Sequence, residues 1–322
     1  MQNNRVTNIL GIELPIIQAP MSWITNATMV AAVSNAGGMG VLGPNAGAKD
    51  IDSKDLNMEE MLRNQIRKVR NLTDKPFALN ILSPPEGVED QFTQITLQVG
   101  FEEGVKHYAS VGNVNRDIFN LVKENGGIVL HRELTPSPEA AKQAEEAGAD
   151  IIIATGYDEG GILPQNQIGT FSIVPTIVDA VNIPVMATGG INDIRGVRAA
   201  FSLGAEGVYM GTRFIVSDES PVSELTKKDI INSKGSDLLF ISASQRSTAH
   251  KFSKELAEFY KDGVPSAELD KKASQNGGLR TGMLEGNLDK GIISVNTAID
   301  LITEVKSCRD IIIEVMADFI NK

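Results

Sequence analysis

Eight short aliphatic runs, separated by segments of helical periodicity, constrain this chain more than any other feature. The runs cover residues 15–19, 38–42, 77–82, 107–111, 128–131, 150–155, 185–188 and 207–210. Several are continuously apolar rather than alternating, as parallel strands buried on both faces must be. Between them, residues 28–36, 58–71, 88–103, 116–124, 138–147, 172–181 and 194–203 carry helical spacing. Eight strands with a helix in nearly every gap is the count of a (β/α)8 TIM barrel, with an open doubly wound sheet as the rival. An internal echo supports like modules: Gly148-Ala149-Asp150 and Gly204-Ala205-Glu206 each end a helix on glycine and open a strand.

The pattern changes after Phe214. Residues 217–236 are polar and charged, and 238–253 and 265–286 show little strand signal. Residues 293–320 read as two helices. The expected division is a barrel of residues 1–214 and 291–322, with a helical accessory region, 215–290, inserted before the C-terminal helix. Length allows it: 322 residues exceed a minimal barrel.

Composition excludes several function classes. The net charge of −11 argues against a nucleic-acid or anionic-membrane surface. Residues 1–5 lead into no long apolar segment, so neither a signal peptide nor a membrane span is read. Cys308 is the only cysteine, which rules out an intramolecular disulfide and fits a cytoplasmic chain. The three histidines are scattered, so no metal site is expected. Glycine signatures of a P-loop, a Rossmann turn or a nucleophile elbow are missing.

Two strands end in glycine: Val185-Met186-Ala187-Thr188-Gly189-Gly190, and Gly207-Val208-Tyr209-Met210-Gly211-Thr212. On consecutive late strands of a barrel such turns form a phosphate clamp. Gln18-Ala19-Pro20-Met21 offers a rigid close-approach surface. Asn80 is a polar residue in an apolar strand, suited to a cofactor heteroatom or to loop backbone. Arg132 can offset a phosphate or an anionic ring, or pair with a rim acid such as Glu133. Gly156-Tyr157-Asp158-Glu159-Gly160-Gly161 joins acids, a phenol and glycines in one loop, able to move a proton or simply to turn.

Taken together, residues 15–21, 33–43 (with Asn35-Ala36-Gly37-Gly38-Met39-Gly40), 73–81, 147–161, 183–193 and 204–214 resemble the nitronate monooxygenase (2-nitropropane dioxygenase) family, which includes the FMN-dependent enoyl-ACP reductase II enzymes. The resemblance is close over residues 6–215 and looser beyond. It implies a TIM barrel with FMN at the carboxyl ends of the strands. Ala19, Pro20 and Met21 would lie against the isoalloxazine ring, and Asn80 would bond it. Arg132 falls where relatives often carry a lysine. Gly189, Gly190, Gly211 and Thr212 would take the phosphate, with Gly160 and Gly161 as further cofactor contacts.

One departure stands out. Many relatives carry Gly-Gly-His where this chain has Gly160-Gly161-Ile162, and that histidine serves them as catalytic base or proton donor. Tyr157, Asp158, Glu159 and His250 are the candidates to fill its role. The expected activity is oxidation of alkyl nitronates with O2 by an FMN-dependent oxidoreductase. NAD(P)H-dependent reduction of an enoyl thioester or quinone is the alternative, and a flavin-binding protein with little turnover is a further one. Expected partners are a small-molecule substrate, with room for NAD(P)H and for a homodimer.

Overall fold

A computed structural model describes residues 4–47 and 57–320. Eight parallel strands close on themselves in sequence order. They are β1 (Ile16–Gln18), β2 (Met39–Leu42), β3 (Phe77–Ser83), β4 (His107–Gly112), β5 (Ile128–Arg132), β6 (Ile151–Thr155), β7 (Val185–Thr188) and β8 (Gly207–Met210). Closure runs through β1, which pairs Ile17 with Met39 of β2 and Gln18 with Met210 of β8. The expected TIM barrel is therefore the observed fold, and the open sheet is not.

Helix α1 (Arg5–Leu10) precedes the barrel, and α2 (Ala27–Asn35), α3 (Met58–Leu72), α4 (Gln91–Glu102), α5 (Arg116–Glu124), α6 (Pro138–Ala147), α7 (Thr170–Val178) and α8 (Ile194–Ser202) fill the seven gaps between strands. Their starts follow from capping chemistry. Asn26, Asn57, Asp90, Asn115 and Ser137 each accept a hydrogen bond from the backbone N–H three residues on, satisfying a donor that the first turn leaves free.

Pleat parity divides the core in two. Ile17, Met39, Val41, Ala78, Ala109, Leu130, Ile151, Ile153, Met186 and Tyr209 point inward and pack together. Val6 and Leu10 of α1 join that cluster. Their neighbours Ile16, Leu42, Leu79, Tyr108, Val129, Ile152, Val185 and Val208 point outward against the helices.

Beyond β8 lie α9 (Thr212–Ile215), α10 (Glu224–Asn232), β9 (Leu239–Ser242), β10 (Gln245–Ser247), α11 (Lys251–Lys261) and α12 (Ser266–Gln275). The antiparallel β9–β10 hairpin was not read in the sequence, where this stretch is expected to be helical. Ile241, Phe252, Leu256, Leu269, Ala273 and Ile292 form a small apolar cluster here. A single π-helical turn spans Arg280–Leu284. Residues 293–298 then run without regular structure, so the two expected C-terminal helices begin only at α13 (Cys308–Val315), followed by α14 (Ala317–Ile320). Helix α13 packs on α2 and α8. Among the described residues, no helix is long and apolar enough to cross a membrane.

Candidate active site at the mouth of the barrel

The inward parity that buries Ala78, Leu130, Met186 and Tyr209 continues to the carboxyl ends of the strands. Two residues on from Ala78 stands Asn80; from Leu130, Arg132; from Met186, Thr188. These three and Tyr209 floor a cavity of about 390 Å³. That size suits small-molecule and cofactor sites, which run roughly 300–1,000 Å³. Asn80 donates from Nδ2 to the Ala109 carbonyl at 2.9 Å, which fixes its amide plane. The buried Tyr209 hydroxyl has no hydrogen-bond partner among the described residues, and burial pushes the phenol well above its ordinary pKa.

One rim of the cavity is backbone. Gly189 and Gly190 adopt φ of +111° and +68°, a region that side chains rarely enter. A Cβ on Gly189 would meet Thr170 Oγ1 at 2.6 Å and the Gly156 carbonyl at 2.9 Å. Gly211 and Thr212 stand beside them after β8, and Ala19-Pro20-Met21 line the cavity after β1. All eleven residues assigned to a cofactor from sequence line this one cavity: Ala19, Pro20, Met21, Asn80, Arg132, Gly160, Gly161, Gly189, Gly190, Gly211 and Thr212.

The four candidate proton-transfer residues part company. Only Glu159 reaches the cavity. Its carboxylate accepts from Arg132 Nη2 at 2.5 Å, and both side chains are buried. Burial pushes the Glu159 carboxyl up, and the Arg132 charge opposes that rise. Among the described residues, Arg132 and Glu159 are the only charged groups in the lining.

The other three are placed elsewhere. Tyr157 stacks on Phe240, ring centroids 6.1 Å apart, and the Arg246 guanidinium lies 5.1 Å from its ring. Asp158 accepts from the Thr170 N–H at 2.7 Å, capping α7 where Gly169 has no side chain to do so. His250 starts α11 with Nε2 2.9 Å from Asp229 Oδ1, beside a separate polar hollow formed with Glu285 and Asp289. None of the three is among the residues that line the cavity. Ile162 does line it, half-exposed, and offers only hydrocarbon and its carbonyl, which accepts from Arg132 Nη2 at 3.3 Å.

Sequence reasoning missed a strap. Residues 293–298 cross the mouth and bind three loops at once. Ser294 donates from Oγ to the Gly160 carbonyl, and Thr297 N–H donates to the Asp158 carbonyl at 3.0 Å. Asn296 N–H donates to Thr212 Oγ1 at 3.0 Å. The Asn296 and Asn192 side chains exchange two hydrogen bonds of 2.9 Å, both residues buried. The strap comes so close that a Cβ on Gly160 would lie 2.4 Å from the Val295 carbonyl carbon. The polar–apolar alternation Ile293-Ser294-Val295-Asn296 was the available signal. Gln245, Leu279 and Met283 add a further wall from the chain beyond β8; the π-helical turn that carries Met283 is a feature often found at functional sites.

The arrangement offers a backbone-lined anion cradle at one end, apolar walls, and one buried ion pair. The family model described as nitronate monooxygenase matches residues 3–318. A Staphylococcus aureus (strain MRSA252) protein named as a probable nitronate monooxygenase is 36% identical, over 85% of each chain. FabK from Thermotoga maritima superposes with a TM-score of 0.86 at 32% identity, covering 100% of this chain and 97% of its own. A nitroalkane oxidase from Streptomyces ansochromogenes has a TM-score of 0.77 at 23% identity, covering 98% of each chain, a likeness of fold alone.

Proposed function

This chain belongs to the nitronate monooxygenase family and is an oxidoreductase, and from that premise we propose that it binds FMN and oxidises alkyl nitronates with O2. The observation that carries the reading is the convergence of the glycine rim and the polar strand ends on one cavity. The residues present fit the cofactor. Left-handed Gly189-Gly190 with Gly211 and Thr212 line the cavity with bare backbone at three of four positions, as the close approach of a phosphate needs. Ala19, Pro20 and Met21 offer a flat apolar bed for a ring system, and Asn80, Arg132 and the unpartnered Tyr209 hydroxyl offer polar contacts. Bound there, FMN supplies the two-electron chemistry and the reduction of O2.

The rest of the work falls to the chain. The apolar walls, among them Leu82, Val111, Ile162, Ile191, Leu279 and Met283, exclude water and suit an alkyl tail. A nitronate is already deprotonated, so no base is required to start the reaction, and Ile162 in place of histidine is no obstacle. A neutral nitroalkane would need a base, and the one acid present, Glu159, is held by Arg132. The division into a barrel, residues 1–214 and 291–322, and an accessory region, 215–290, belongs to this proposal. The accessory region supplies Gln245, Leu279 and Met283 over the mouth.

The test is spectroscopic. Purified protein, as isolated or after loading with FMN, is mixed anaerobically with ethyl nitronate or with NADH or NADPH. Loss of flavin absorbance with nitronate alone supports the reading, and O2 then restores it. A protein that stays colourless after FMN loading refutes the cofactor. Bleaching by a nicotinamide nucleotide but not by nitronate replaces the oxidase reading with a reductase.

A further inference from the structure

The cavity contains one pair of charges and no others among the described residues. Arg132 comes from the end of β5 and Glu159 from the loop after β6, so two separate elements bring the charges together. Arg132 Nη2 spans Glu159 Oε1 at 2.5 Å and the Ile162 carbonyl at 3.3 Å. Arg246, the other buried cation nearby, sits outside the lining against Tyr157 and Phe240. Burying an ion pair is costly, and apolar residues of similar size commonly replace such pairs without loss of stability. Placed on the floor of a redox cavity, however, each member of the pair acts on any group bound there through a poorly screened field.

We propose that Glu159 is a positioning residue that compensates the charge of Arg132, keeping the cavity floor neutral and thereby setting the reduction potential of the flavin. The inference rests on the FMN reading above. Without Glu159, a bare guanidinium faces the cavity and favours the electron-rich, reduced cofactor, so the potential rises. With Glu159 in place that pull is cancelled.

The experiment is a spectroelectrochemical titration of the FMN-loaded full chain. Glu159→Gln moves the two-electron equilibrium toward reduction by at least tenfold, which is about 30 mV more positive. Glu159→Asp, which keeps the charge, stays near the unmodified protein. Arg132→Gln with Glu159→Gln, which removes both charges, returns the potential to near the starting value. A purely structural role predicts instead that the single and double amide variants shift alike, and that result overturns the proposal. So does a Glu159→Gln potential equal to that of the unmodified protein. If Glu159→Gln does not fold, Glu159→Leu makes the same comparison. Failure of the unmodified protein to bind FMN overturns this inference with the reading beneath it, and the starting spectrum tells the two failures apart.

Discussion

Truncating Asn296 to alanine tests how the site is held together. The side chain makes three hydrogen bonds: Nδ2 to Asn192 Oδ1 (2.9 Å), and Oδ1 from Asn192 Nδ2 (2.9 Å) and from the Ala298 N–H (3.0 Å). In Asn296→Ala the Asn192 amide keeps one partner, the Ala298 carbonyl at 2.9 Å. Its oxygen keeps none, and Asn192 is only 2% exposed. A buried group left unpaired costs about 1–3 kcal/mol, and each remaining bond about 1 kcal/mol more. The half-exposed Ala298 N–H regains water, so the total is roughly 2–4 kcal/mol. At a urea dependence of about 3 kcal/mol per molar, that lowers the unfolding midpoint by roughly 1 M. Asn192→Ala should cost a similar amount, and the double variant less than the sum by about 1–2 kcal/mol, because the two share their bonds. Urea titration followed by Trp23 fluorescence measures all three. Strict additivity, or an Asn296→Ala midpoint within about 0.2 M of the unmodified protein, would refute the idea that this amide pair anchors the strap.

Other outcomes follow from the same geometry. Gly211 has an ordinary backbone conformation (φ −108°), and its added Cβ would meet nothing nearer than Met21 Sδ, at 3.5 Å. Gly211→Val should therefore fold while losing FMN affinity by tenfold or more, about 1.4 kcal/mol; equal dissociation constants by fluorescence titration would remove Gly211 from the phosphate cradle. Gly189→Ala should fail differently, losing soluble folded protein, since its Cβ would meet the Gly156 carbonyl at 2.9 Å. Burial pushes the His107 imidazole down to about 4, from 6.5 in the unfolded chain. The folded state thus binds its proton later than the unfolded one. The stability this site contributes is complete above pH 6.5 and drains away as pH falls toward 4, about 3 kcal/mol in all. An NMR titration of the His107 ring with a midpoint near 6.5 would refute that assignment.

Much of this architecture was readable because barrel strands are buried on both faces. Runs such as Ile151-Ile152-Ile153-Ala154 have no polar side to confuse the reading, and the polar residues at their ends stand out for that reason. Asn80 and Arg132 were visible as exceptions to an apolar rule. Two neighbours in one loop were not separable in the same way. Asp158 and Glu159 are adjacent acids, yet one caps α7 and the other enters the cavity. That choice depends on where Thr170 lies, twelve residues along the chain. His250 was drawn in by residue type alone, and its neighbour is Asp229. The hairpin and the strap owe their shape to contacts with the barrel mouth. Phe240 and Arg246 find Tyr157, and Asn296 finds Asn192, across separations of 83 to 104 positions, which no local pattern encodes.

The strap also imposes an order in time. During synthesis every barrel strand has emerged once Met210 clears the ribosome, but the loops after β6, β7 and β8 still lack their common tether. Some eighty further residues must be translated before Asn296 can arrive to join them. Until then the loops after β6, β7 and β8 lack the segment that joins them, so the wall of the pocket is completed by a piece of chain that belongs to no strand at all.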